Sequence, residues 1–172
     1  MDLIQESTDT LELDLIKAHL VISHNLDDVL LEHYKKASLE VVEEYLTTSL
    51  LDRIYESTSD EVVSDNQNTM LELECPYPPD KMIVYFSDGS QEDEHVTYDI
   101  GAKILYYYNI NDLEVTKIEA FTFLKNSTAI EQVRLLLIGN WYEFRNADTA
   151  LNLKQVPTGL LFMIDKLKKA EL

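Results

Sequence analysis

Apolar residues follow a helical spacing at both ends of the chain and an alternating spacing in the middle. Near the start, residues 13–20 (LDLIKAHL) predict a short helix with the acids Glu12 and Asp14 at its positive end. A second start signal at Asn25 precedes apolar residues that recur at steps of three and four. These are Leu26, Leu30, Tyr34, Ala37, Val41 and Tyr45, with Leu31, Val42 and Leu46 beside them. The pattern predicts a long amphipathic helix that ends near residues 47–49.

The longest helical signal spans residues 128–146 (TAIEQVRLLLIGNWYEFRN). Thr128 and Glu131 have the spacing of a capping box, which predicts a helix start at Thr128. Residues 126–128 also match a glycosylation acceptor, but a helix cap is the better interpretation. Apolar side chains occupy nearly every face, while Arg134 and Asn140 interrupt the run, so the cover should be protein rather than lipid. We expect the core or a subunit contact to include Leu137, Trp141, Tyr142 and Phe144.

The alternating middle of the chain predicts strands between Asp52 and Asn126. Residues 57–68 are polar and acidic, which indicates an exposed loop. Asp88-Gly89 predicts a tight hairpin turn after the apolar stretch 81–86. We expect strands at residues 70–73, 81–86, 95–98, 103–108 and 113–123, with the last three as partners of 81–86. The final strand has no cleanly polar face and should be central.

Pro157 and Thr158 open a last helix, residues 158–172. Its residues Leu160, Leu161, Ile164 and Leu167 are expected toward the core. Its final turns carry Lys166, Lys168 and Lys169, where cations offset the negative helix end. A docking site for an acidic partner is the alternative interpretation of this basic cluster.

These signals together predict an α+β fold. A helical core of about four helices (short, long, long, terminal) carries a strand-rich antiparallel insert, residues 52–126, between the second and third helices. The 172 residues are of single-domain length, so we treat residues 1–172 as one domain.

Charge is the largest departure from an ordinary composition. The chain has a net charge of -18, and residues 1–100 hold 24 acids against 5 Lys or Arg, while residues 101–172 hold 8 against 9. Such a surface repels phosphate, which disfavours gripping of DNA by basic patches but suits a protein that surrounds DNA without holding it. Solubility alone is the other explanation. Cys75 is the only cysteine, and the acidic start lacks signal-peptide features, so we expect synthesis in a reducing cytoplasm.

No catalytic pattern stands out in the sequence. A glycine-rich phosphate loop, a G-x-S-x-G elbow and an H-E-x-x-H pair are all missing. The acids Glu92, Asp93 and Glu94 lack the alternating ligands of a calcium loop. The histidines without metal-ligand spacing are His19, His24, His33 and His95. We therefore expect no enzyme, no cofactor and no metal.

Several motifs occur in a recognisable order. They are Lys17–Leu20 (KAHL), Asp27-Asp28, Glu43–Leu46 (EEYL), Gln132–Leu137 (QVRLLL) and Trp141–Arg145 (WYEFR), followed by the proline-opened last helix. This order resembles the head-tail connector (head-completion or adaptor) proteins of long-tailed bacteriophages. The resemblance covers roughly half of the chain, at its two ends. The middle, residues 52–126, matches in general character only.

The resemblance implies a structural virion protein at the head-tail junction, assembled in the host cytoplasm without a membrane. It would form a ring, typically of twelve copies, beneath the portal protein after DNA packaging, and DNA would pass through without specific binding. The ring would offer a platform to the next neck or tail-completion protein. Portal docking would involve Leu160, Leu161, Ile164, Lys166, Leu167, Lys168 and Lys169. Tyr106–Tyr108 in the insert would contact the adjacent subunit or the tail-side protein.

Another class of protein also fits the charge. A small acidic binding protein, such as a DNA mimic that occupies a nucleic-acid-binding enzyme, would be a monomer or dimer whose complex dissociates with salt. A metal-dependent enzyme using the acids at residues 92–94 is a third hypothesis. Sizing in solution, followed by negative-stain imaging with a portal, separates the first two.

Overall fold

The computed structural model describes residues 1–57, 70–93, 96–108, 114–125, 127–144 and 157–170. The chain divides into two compact units. A strand unit contains residues 1–8 and 47–125, and a helical unit contains residues 9–46 and 126–172. Helices and antiparallel sheets together confirm the α+β prediction. The first eight residues, which the sequence pattern left outside the insert, belong to the strand unit.

The described part of the helical unit has a short, two long and a terminal helix, as predicted. They are α1 (Leu13–His19), α2 (Asp28–Leu46), α3 (Thr128–Glu143) and α4 (Thr158–Ala170). Helix α3 packs against the other three helices, and α2 also packs against α1 and α4. Each described helix is too short or too polar to cross a membrane.

Helix α2 buries a face that overlaps the predicted one in part: Leu31, Tyr34, Val42 and Leu46 are buried, as the apolar spacing indicated. Leu26 precedes the helix and is 88% exposed, and Tyr45 is also exposed. The buried residues are Leu31, Tyr34, Ser38, Leu39, Val42, Glu43 and Leu46. The predicted face misses Ser38, because a polar residue gives no apolar signal, although hydrogen bonds satisfy its hydroxyl group in the core.

The cap of α3 lies one residue earlier than predicted. Ser127 has an extended backbone, and its Oγ accepts a hydrogen bond from the Ile130 backbone N–H at 3.3 Å. Thr128 is therefore the first helical residue rather than the cap, and the proposed Thr128–Glu131 capping box is wrong. Both residues are good caps, so local sequence could not choose between them. The predicted helix end at residues 145–146 lies outside the described residues.

The described part of the strand unit forms two antiparallel sheets. Its strands are β1 (Asp2–Glu6), β2 (Arg53–Glu56), β3 (Met70–Glu74), β4 (Lys81–Phe86), β5 (Gln91–Glu92), β6 (Val96–Asp99), β7 (Ile104–Tyr108) and β8 (Val115–Thr122). One sheet has the order β1-β2-β8-β4-β5 and the other the order β3-β7-β6. The two sheets share a hydrophobic cluster that includes Leu73, Leu105, Tyr107 and Ile118.

The described part of the chain contains β1, β2 and β5 in addition to the five predicted strands, and the strand pairing also differs from the prediction. Gly89 has a φ of +85°, which confirms the turn after β4, but this turn leads to the short β5. Strands β6 and β7 pair with each other and with β3, so they are not partners of β4. Strand β8 lies between β2 and β4, which confirms its central position. Ser57 is buried and accepts a hydrogen bond from Ile118 N–H, while residues 58–68 of the predicted loop lie outside the described residues.

Candidate interaction surfaces

Hydrogen bonds between polar side chains connect three helices of the helical unit. Lys17 Nζ in α1 donates to Asn25 Oδ1 at 2.6 Å and to Asp28 Oδ1 at 2.8 Å. Tyr142 in α3 donates its hydroxyl proton to Asp27 Oδ2 at 2.6 Å. Lys17, the two aspartates and Tyr142 come from three of the motifs that carry the connector resemblance. Their shared role is to hold the α1–α2 loop against α3.

The α1–α2 loop and the first turn of α2 present apolar side chains to solvent. Val21, Leu26 and Val29 are 91%, 88% and 74% exposed. Val21 also has a φ of +57°, a conformation that costs a β-branched residue strain. A strained and apolar loop that polar bonds hold firmly is typical of a protein contact surface. We call residues 21–29 the loop surface.

A cleft of about 560 Å³ adjoins the loop surface and is lined by His19, Leu20, Val21, Leu136, Gly139, Asn140, Tyr142 and Glu143. A Cβ atom at Gly139 would lie 3.6 Å from Leu20, so α1 and α3 approach closely there. Among the described residues, no group of three or more His, Cys, Asp or Glu side chains is placed to hold a metal ion.

The four residues expected in the core or in a subunit contact occupy different environments. Leu137 is fully buried, and Trp141 is 4% exposed and packs on Tyr34, with ring centroids 5.9 Å apart. Tyr142 is half-buried through its bond to Asp27. Phe144 is 58% exposed and takes no part in the core of its own helical unit. Of the two predicted roles, core residue or subunit contact, only the subunit contact is compatible with the exposure of Phe144.

The indole Nε1 of Trp141 is buried without a hydrogen-bond partner in the described part of the chain. A buried donor without a partner costs about 1–3 kcal/mol. Trp141→Phe removes this donor together with one ring. The free energy gained by removing the unpaired donor offsets much of the packing energy that is lost with the ring. We expect the free energy of unfolding to fall by less than about 1.5 kcal/mol for Trp141→Phe, and by about 3–5 kcal/mol for Trp141→Ala. Urea denaturation measures both, and equal losses would contradict the unsatisfied donor.

A buried ion pair was missed by the sequence interpretation. Arg134 in α3 donates to both carboxylate oxygens of Asp9, with Nη1 2.8 Å from Oδ1, and its Nε donates to Ser38 Oγ at 3.2 Å. Burial alone would raise the pKa of Asp9, but the hydrogen bond and charge of Arg134 outweigh it and lower this pKa. Arg134 is 5% exposed. An arginine within the apolar stripe of α3 was the available signal, because such a charge needs a buried partner.

Helix α4 separates its core residues from its docking candidates. Leu160 and Ile164 are 7% and 1% exposed, so their side chains are not available to a portal. Phe162 and Met163 are 61% and 37% exposed, and Lys166 Nζ lies 4.8 Å from the centre of the Phe162 ring. Leu161 and Leu167 are half-buried, Lys168 is exposed, and the Lys169 side chain lies outside the description. We call Phe162, Met163, Lys166 and Lys168 the α4 surface.

Glu92, one of the candidate acids, and Cys75 have structural partners. Glu92 Oε2 accepts a hydrogen bond from the Tyr107 hydroxyl at 3.5 Å, and Glu94 lies outside the described residues. Cys75 is buried, and burial raises the pKa of its thiol. A protonated and buried thiol is a poor nucleophile.

Comparison with known proteins gives a likeness of fold. No protein-family model and no curated protein sequence matches this chain. A chain in a structure described as the neck of an empty GTA particle, computed with C6 symmetry, superposes with a TM-score of 0.51 at 15% identity. A chain in the virion of a native gene transfer agent (GTA) particle gives 0.50 at 16% identity. Each comparison covers 96% of this chain and 94% of the other. This protein shares their fold.

Proposed function

We propose that this protein is a structural component of the neck of a phage-like particle. The observation that carries the proposal is the fold, which extends over 96% of the chain and matches a chain in a GTA neck. Fold alone does not imply function, but the protein also exposes surfaces suited to assembly. Those surfaces are the loop surface, the exposed Phe144 and the α4 surface.

In the proposed assembly, copies of the protein meet head to tail and form a ring beneath the portal. Heterologous contacts that close on themselves generate rings, and we propose twelve copies. The loop surface and Phe144 are the apolar patches that a neighbouring copy would cover. The ring would complete the head after DNA packaging and provide the docking platform for the neck and tail.

The charge of the chain supports a channel through which DNA passes without binding. Residues 1–100 hold 24 acids and 5 Lys or Arg. An acidic channel wall repels the phosphate backbone at short range. DNA that passes through therefore forms no ion pairs with the wall that would have to break. DNA would therefore move through the ring with little friction from the protein.

The ring proposal predicts a specific result when the protein meets its portal. We expect the mixture to elute from a sizing column as one complex larger than the portal, and negative-stain images to show an added ring with the symmetry axis of the portal. The complex should persist at 0.5 M salt, roughly, because apolar contacts dominate its interfaces. Separate elution of the two proteins would refute the proposal.

The acidic character favours one other candidate, a DNA mimic bound to a nucleic-acid-binding enzyme. In that case the protein would elute as a monomer or dimer with or without a portal. Its complex with a basic DNA-binding protein would dissociate steeply between low and moderate salt. The sizing experiment therefore distinguishes the two functions in one series of runs.

A further inference from the structure

The three-stranded sheet has two faces of different chemistry. Its inner face contributes Leu73, Leu105 and Tyr107 to the hydrophobic cluster of the strand unit. Its outer face carries Tyr106 and Tyr108 on the central strand β7. The strand register places Glu72 of β3 and Thr97 of β6 directly opposite Tyr106. The connector resemblance assigns Tyr106–Tyr108 to a contact with the adjacent subunit or the tail-side protein, and it does not say which chemistry that contact uses.

A shallow groove of about 520 Å³ runs along the outer face, and its lining includes Tyr106, Tyr108, Asp99 and Ile100. Tyr108 is 42% exposed and Ile100 is 55% exposed. Within the described ranges, the hydroxyl groups of the two tyrosines make no hydrogen bond. Exposed tyrosines in a groove supply large, rigid contact area together with a polar group, which suits protein recognition. We call this feature the tyrosine groove.

The acidic side chains around the tyrosine groove give it a negative electrostatic potential. Strands β3, β6 and β7 contain Glu72, Glu74 and Asp99 and no Lys or Arg, and the β6–β7 turn adds one cation, Lys103. The N-terminal ammonium group lies at the end of β3, where it donates to the Glu74 carbonyl oxygen at 3.1 Å. Burial raises the pKa of Tyr106, and the charges of Glu72 and Asp99 raise it further. Asp99 Oδ1 accepts hydrogen bonds from the N–H groups of the turn at 2.8 and 3.0 Å, which holds that carboxylate in place. Glu72 is exposed and remains available to a ligand.

We propose that the tyrosine groove binds a cationic segment of a partner protein. Lys or Arg side chains of that segment would lie on the Tyr106 and Tyr108 rings, where cations are attracted to the π face, and would reach the Glu72 carboxylate. Charge complementarity argues against a second copy as the occupant, since each copy carries a net charge of -18. The proposal goes beyond the ring function and holds whether or not a ring forms.

The probe for this site is a fluorescein-labelled octa-arginine peptide, and its binding to the full-length protein is measured by fluorescence anisotropy at about 0.1 M salt. Tyr106→Ser/Tyr108→Ser removes both rings without a change in charge, and we expect it to weaken binding about tenfold. Glu72→Gln/Glu74→Gln removes two charges on β3 and should weaken binding at least fivefold, roughly.

The matched control is Glu40→Gln/Glu44→Gln, which removes the same charge from exposed positions on α2. It should change the affinity less than about twofold, because only general attraction is reduced. Wild-type affinity in the tyrosine variant, or equal weakening by the control, would overturn the proposal. Self-association of the wild-type protein that the tyrosine variant abolishes would also overturn it, because a second copy would then occupy the groove. Thermal melting verifies that each variant is folded.

Discussion

Replacing Arg134 with methionine is expected to lower the free energy of unfolding by about 3–5 kcal/mol. The guanidinium group binds both oxygens of Asp9 and also donates to Ser38 Oγ and the Lys35 carbonyl oxygen. Without it, the Asp9 carboxylate, whose side chain is only 15% exposed, keeps its charge in a region of low polarity. Urea denaturation followed by circular dichroism at neutral pH measures the loss.

The control for this prediction removes both charges. Asp9→Asn/Arg134→Met should recover a large part of the loss, because no buried charge is then left without a partner. A double variant as unstable as Arg134→Met alone would show that packing, rather than charge, explains the effect.

The same pair determines an acid dependence. Because the folded-state pKa of Asp9 is lowered from 3.8, its contribution to stability is fully present above pH 3.8 and is lost as pH falls through the folded-state pKa. Asp9→Asn should lack this part of the acid destabilisation.

Removing the apolar part of the α4 surface is expected to weaken portal binding at least 100-fold, roughly, if the neck proposal is correct. Phe162→Ser/Met163→Ser changes two exposed residues and leaves the buried Leu160 and Ile164 in place. The physical reason is that a large aromatic side chain buried in an interface contributes more binding free energy than the charged residues at the rim of that interface. Surface plasmon resonance with immobilised portal protein measures the change.

The control for the α4 surface is Leu3→Ser/Ile4→Ser on β1, where the two side chains are 49% and 54% exposed. It removes comparable apolar surface and should leave portal binding within about threefold of the wild type. Unchanged binding by the α4 variant would refute portal docking by this helix. Deleting the whole helix is a poorer experiment, because Leu160 and Ile164 of α4 belong to the core of the helical unit.

Part of the candidate surfaces could be predicted from sequence. The final helix was predicted with Leu160 and Ile164 toward the core and a basic end, and both residues are buried. The exposure of Phe162 and Met163 was missed, because apolar residues in a helix are first assigned to the core. The tyrosine groove was only partly visible, since Tyr106–Tyr108 is a continuous run. Strand alternation places Tyr107 on one face of β7 and Tyr106 and Tyr108 on the other. The pairing of β7 with β3 and β6 decides that the Tyr107 face is the buried one.

By itself the sequence determined the number, type and approximate limits of the described helices, the turn at Gly89 and the central position of β8. These features depend on periodicity and on residues that are close in the chain, which local rules describe well. Tertiary structure decided which strands share a sheet, which face of α2 is buried and which acid pairs with Arg134. The Asp9–Arg134 pair joins residues 125 positions apart. Strand pairing, helix burial and ion pairing depend on contacts and hydrogen bonds between residues that are far apart in the chain. The spacing of residues along the chain does not indicate which of them come into contact.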